Sequence, residues 1–227
     1  MLILVILMLP ISYWLYVIIF KPVKKRPLGK LYVDMAKDDM KYVCKIAKAS
    51  NIPITEIKRA LILQNYTIFY VYLTLVHFNP LIQMGIVDAS KRDEFMDLLN
   101  SEALAELKII YPDLINKTDY YSASINLWKK YMRYKKSFPE ENESPLNTLF
   151  WEFGKWIALI LSPNYDKDYA KVVNNNYEIT SDMHLDLGVV TASIASARAF
   201  AETLLTVNKT DNKCKLDKLI CVYFNIT

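Results

Sequence analysis

The side chains of this sequence best typed for chemistry are Asp182, His184 and Asp186, which alternate in SDMHLDLG. Two carboxylates around an imidazole can hold a metal ion or position a general base. Residues two apart share a face in an extended segment, but they diverge on a helix. With Asp182 as the N-cap of a helix and His184 in its first turn, the segment reads as a helix start. The three are catalytic candidates only if it is extended.

Nothing else in the sequence strengthens that centre. His77, the only other histidine, has no spacing relation to His184 and reads as a hydrogen-bonded residue near the end of an apolar helix. Cys44, Cys214 and Cys221 form no CxxC pair, so neither a zinc pattern nor a disulfide framework is expected. Reduced thiols in the cytoplasm are the simplest reading, with Cys214 and Cys221 able to pair only in an exported domain. Phosphate-cradling glycine loops and the G-x-S-x-G elbow are not found as sequence motifs. Glu140 and Glu141 lie in a polar loop that offers neither burial nor a fixed neighbour to tune them. The sequence therefore implies no cofactor and no metal, and it leans away from an enzyme.

A second chemical pattern is LWKKYMRYKK at 127–136, where Lys129, Lys130, Arg133, Lys135 and Lys136 interleave with Trp128, Tyr131 and Tyr134. Such a mixture can contact phosphate and stack bases, snorkel at a membrane, or coat an amphipathic helix with solvated charge. The last is expected. Of the net charge of +4, residues 1–78 carry eleven Lys/Arg against four Asp/Glu, and residues 79–227 carry seventeen against twenty. A nucleic-acid binder would place its surplus on the folded domain, so nucleic acid is not an expected partner.

The elements that position these groups begin with an apolar run. Residues 1–20, MLILVILMLPISYWLYVIIF, contain no charged side chain, and KPVKKRPLGK follows. At about 1.5 Å rise per residue that run spans roughly 30 Å, the thickness of a bilayer's hydrocarbon core. Charge before the run and a small-residue cleavage site, the marks of a cleaved signal, are missing. The expected organisation is a transmembrane anchor over 1–20, a basic juxtamembrane collar over 21–32 and one helical domain over 33–227. The positive-inside rule then puts Lys21, Lys24, Lys25, Arg26 and Lys30 in the cytoplasm, with the N-terminus outside and the domain cytoplasmic, a single-pass topology.

Four glycines and nine prolines divide the remainder into segments of helical length, which predicts an all-α, bundle-like domain, with a short extended C-terminal segment at LICVYFNIT. Over 33–50, Ala36, Met40, Val43 and Ala47 form an apolar stripe and Lys37, Lys41, Lys45 and Lys48 another face. Directly after an anchor, that lysine face is assigned to the lipid surface, a solvated face being the plainer alternative. Thr55 is expected to cap a helix running to His77. Its stretch from Ala60 to Phe78 is apolar nearly all round, and is either the buried central helix or a second span marked by Lys58 and Arg59. Gln64 and Asn65 would be costly against lipid, which favours the core.

A helix starting at Ser90 continues to Pro112, with Asn100 and Ser101 as a candidate break. Another over 119–137 is expected to turn Tyr121, Ile125, Trp128 and Met132 inward. Beyond the polar loop FPEENESP, helices follow at 145–161, 166–174 and 182–207. The last is rich in small residues, and Ser193, Ala197, Arg198, Ala201 and Glu202 form its candidate partner-helix contact, with Arg198 and Glu202 paired one turn apart. The function expected is that of a non-catalytic, membrane-anchored subunit or adaptor that binds a protein partner near the cytoplasmic membrane surface. The alternatives are a membrane-tethered enzyme acting on a lipid-derived substrate and an inhibitor or immunity protein.

Overall fold

The protein is described here by a computed structural model covering residues 27–85, 87–134, 146–174, 178–179, 183, 185–205, 207–208 and 213–214. The expected anchor over 1–20, Lys21, Lys24, Lys25 and Arg26 of the collar, the loop at 138–145, Asp182, His184 and the tail from 219 lie outside the described residues.

Helix starts follow the capping residues. Thr55 Oγ1 accepts from the Lys58 backbone N–H at 3.2 Å and opens α2, Glu56–Gln83, at the predicted cap, but the helix continues through Pro80 to Gln83 and not only to His77. Asn116 opens α4, Lys117–Tyr131, by accepting from the Asp119 N–H at 2.9 Å, and Thr148 opens α5, Leu149–Leu161, by accepting from the Trp151 N–H at 3.3 Å. The remaining helices are α1, Leu28–Ala49, α3, Ala89–Ile110, α6, Tyr165–Asn174, and α7, Leu187–Phe200, which passes into a π-helical turn, Ala201–Leu205. Among the described residues the fold is all-helical apart from an antiparallel ladder two residues long, which pairs Val207 with Cys214 and Asn208 with Lys213.

The centre is α2. It packs against α1, α3, α4, α5 and α7, and every residue from Ile62 to Thr74 is buried. Phe69 stacks on Phe153 of α5 with ring centroids 4.0 Å apart, and Tyr70 stacks on Phe200 of α7 at 3.7 Å. The polar groups that would be costly in such a helix are satisfied. Asn65 donates to the Leu61 carbonyl at 2.7 Å and accepts from Trp156 Nε1 at 2.8 Å, while Thr67 and Thr74 bond back to the carbonyls one turn earlier. By length and composition α2 could cross a membrane, with a mean hydropathy of 1.3 over its most apolar window, but 78% of that window is buried inside the protein, as in the core helix of a soluble domain. Lys58, read from sequence as the mark of a span's end, donates to the Leu161 and Ser162 carbonyls at 3.3 and 2.9 Å and so closes the C-terminus of α5.

Four local expectations are corrected, two by tertiary contacts and two by bonds within a turn. Helix α1 begins at Leu28, ahead of its apolar stripe, because Glu102 of α3 accepts from the otherwise orphaned Gly29 N–H at 2.9 Å. Asn100 and Ser101 do not break α3, since each bonds back to its own helix, to the Met96 and Leu98 carbonyls. Helix α4 is rotated by one residue: Tyr120, Ser124, Leu127 and Tyr131 are buried, while of the expected face Tyr121 and Trp128 pack partly buried against the core and Ile125 and Met132 are 52% and 67% exposed. The cap of the last long helix is Asp186, whose Oδ1 accepts from the Val189 N–H at 2.9 Å, so α7 starts at Leu187 and not at 182.

Two glycines let helices approach closely. A Cβ at Gly154 of α5 would lie 2.8 Å from the Val190 carbonyl oxygen of α7, and one at Gly29 would lie 2.4 Å from both the backbone nitrogen of Ala103 and Cβ of Glu102. Alanine normally favours a helix over glycine by about 1 kcal/mol. At Gly29 the overlap reverses the sign: Gly29→Ala is expected to lose about 1–3 kcal/mol in urea unfolding, the usual cost of overpacking. An unchanged or higher stability would show that α1 and α3 do not meet at this distance.

Candidate functional site

The helical periodicity of α1 separates its two faces cleanly. Val33, Ala36, Met40, Val43 and Ala47 are buried against α2, α3 and α7, and the opposite face presents Lys41, Lys45 and Lys48 to solvent, with Lys37 half-buried beside them. Lys41 Nζ lies 2.7 Å from Asp38 one turn earlier, and Lys30 lies 3.0 Å from Glu106 of α3. The lysine row is thus an exposed cationic stripe on a helix that begins within the expected collar.

The small residues of α7 are used within the chain. Ser193, Ala197 and Ala201 are buried, Ser193 donates to the Val189 carbonyl at 2.8 Å, and Ser196 shares a 2.8 Å hydrogen bond with Tyr66 of α2. Arg198 and Glu202 stay at the surface and form the expected one-turn pair, with Nε 2.7 Å from Oε1. Asp186 is the α7 cap described above. No group of three His, Cys, Asp or Glu among the described residues could hold a metal ion.

The strongest electrostatic feature was not legible in the sequence. Lys130, expected among solvated charges, is 5% exposed, with Nζ 3.3 Å from Glu152 Oε2 on α5 and 4.7 Å from the Trp156 ring centroid. Glu152 is also buried and is held by Lys155 one turn further on. Lys130, Arg133, Tyr134, Glu152 and Lys155 line a cavity of about 240 Å³. The Lys130 ammonium, however, is sealed from solvent, which makes this cluster a cross-brace between α4 and α5 before it is a binding site. Only the rotation of α4 by one residue, which no local pattern dictates, brings Lys130 to that position.

Burial pushes the Lys130 ammonium down to about 8, against the pull of Glu152. From there to 10.5, its ordinary value, the unfolded chain binds more protons than the native one, so stability rises with pH. Near pH 10 the trend reverses, because burial pushes the Tyr120 and Tyr131 phenols up while the unfolded chain ionises its own. Because the buried Cys44 thiol and the other buried phenols pull the same way as Tyr120 and Tyr131, the lysine is read as a difference: the stability of the unsubstituted protein relative to Lys130→Met should rise by about 1–3 kcal/mol in urea unfolding between roughly pH 8 and 10. A difference between the two proteins that does not change with pH would contradict the buried ammonium.

No protein-family model matches the chain, and neither a curated protein nor a solved structure matches it.

Proposed function

We propose that this chain is a membrane-anchored helical protein that binds a protein partner at the cytoplasmic membrane surface and carries out no catalysis of its own. In this reading residues 1–20 cross the bilayer once with the N-terminus outside, and the helices from 33 onward pack as a bundle beneath it. The observation that carries the proposal is the outer face of α1, where Lys41, Lys45 and Lys48 are exposed along a helix that begins at Leu28, within the basic stretch Lys21 to Lys30. Each such cation near an anionic leaflet contributes about 1 kcal/mol at physiological salt, so a row of them suffices to lay α1 along the headgroups. The charge asymmetry of the sequence supports the same orientation: the excess is basic before residue 79 and acidic after it.

Because Ser193, Ala197 and Ala201 are occupied inside the chain, the partner surface on α7 is its outward row: Thr191, Ala195, Arg198 and Glu202. Membranes from cells expressing the full chain should retain it through an alkaline carbonate wash. A chain lacking residues 1–20 should be released by high salt, and the same truncation with Lys41, Lys45 and Lys48 changed to Glu should be released without it. Extraction of the full chain by carbonate would refute the anchor, and salt-insensitive retention of the truncated chain would refute the lysine face.

A further inference from the structure

The lysine row of α1 does not stand alone. Lys41, Lys45 and Lys48 join Arg59, in the first turns of α2, around a cleft of about 250 Å³ whose floor is the buried pair Met40 and Cys44. No carboxylate lines this cleft. Lys41 reaches outward to Asp38, but Lys45, Lys48 and Arg59 form no ion pair with any described carboxylate. Four cations have therefore been gathered from two helices, and three of them, Lys45, Lys48 and Arg59, have no counter-charge among the described residues.

The fold fixes their convergence. Helix α1 ends at Ala49, Asn51 with a φ of 57° turns the chain back, and the Ile52 N–H closes that turn on the Ala47 carbonyl at 2.9 Å. Lys58 is then tied to the end of α5, which sets the rotation of the first turns of α2 and so the side on which Arg59 emerges. Burial pushes the Cys44 thiol up, and Arg59 and Lys48 oppose that shift, so both cations act on the cleft floor.

We infer that this cleft is a binding site for a phosphomonoester, supplied by the headgroup of an anionic membrane lipid. A phosphomonoester carries about −1.5 to −2 charge with three strong acceptor oxygens, which several converging donors can share, and a guanidinium adds a fork that matches two of them. A carboxylate or a phosphodiester brings only a single charge. The lipid source rests on the membrane reading above, and it puts the cleft on the face of α1 turned toward the headgroups.

Cys44 supplies the readout, because an anion over the cleft floor both covers the thiol and cancels the cations that favour its thiolate. The experiment uses the full chain with Cys214 and Cys221 changed to Ser, held in zwitterionic bilayers, and measures the rate of Cys44 alkylation by iodoacetamide. Inorganic phosphate, with chloride as the control at matched ionic strength, tests the pocket itself. Bilayers doped with phosphatidic acid, or with phosphatidylserine at equal surface charge, test the source. The expected result is a slowing of about tenfold with phosphate and with phosphatidic acid, little with chloride or phosphatidylserine, lost in Arg59→Ala and largely kept in Arg59→Lys. Equal slowing by phosphatidylserine and phosphatidic acid would overturn the discrete site and leave the membrane reading intact. Slowing by soluble phosphate alone would overturn the lipid source. No change in any arm would overturn the site altogether.

Discussion

A helix apolar on every side cannot stand in water, and covering α2 is the constraint that the rest of this structure meets. From Ile62 to Thr74 it has no solvent-facing residue, and α1, α3, α4, α5 and α7 pack around it. The covering is held in register by tyrosine hydroxyls as well as by apolar area. Tyr66 bonds Ser196 of α7, Tyr32 of α1 shares a 2.7 Å hydrogen bond with Thr74, and Tyr70 donates to Asp39 of α1. Each such bond joins a neighbouring helix to the centre at one rotation, because a buried hydroxyl left without a partner costs more than a made bond gains. Gly154 and Gly29 complete the arrangement by letting α5 meet α7 and α1 meet α3 at backbone distance.

This constraint separates what was legible in the sequence from what was not. The identity of α2 as the central helix could be read from its composition and from Gln64 and Asn65, polar groups that suit a protein interior better than lipid. Caps whose acceptor lies within three residues, such as Thr55, and pairs one turn apart, such as Arg198 and Glu202, were also legible because they are local. The face of α4 was not. Tyr121, Ile125, Trp128 and Met132 have the same spacing as Tyr120, Ser124, Leu127 and Tyr131, and packing against α2 buries the second set fully and the first only in part, at Tyr121 and Trp128. That choice buries Lys130, which depends on Glu152 of another helix and so carried no signal of its own. The start of α1 likewise depends on Glu102, far along the chain.

The candidate site divides in the same way. The lysines of α1 were legible because a single helix carries them at its own period. Arg59 was read only as the end of a span, since its place across the cleft from Lys45 depends on the Asn51 turn and on Lys58 being tied to α5. In the proposed function the two halves of the chain have different physical roles. The basic N-terminal part meets the lipid, and the acidic remainder, organised around α2, presents α7 to a partner. Both roles depend on α2 being a core helix; were it a span, everything beyond residue 83 would lie on the other side of the membrane.

That dependence points to one measurement above the others, the reaction of Cys214 and Cys221 with a membrane-impermeant thiol reagent in intact cells, with Cys44 replaced by Ser and a reduced sample in parallel. The account predicts no labelling until the membrane is permeabilised, since an anchor at 1–20 and a buried α2 leave both cysteines in the cytoplasm. Labelling of intact cells, directly or only after reduction, would contradict it and place the domain beyond α2 outside.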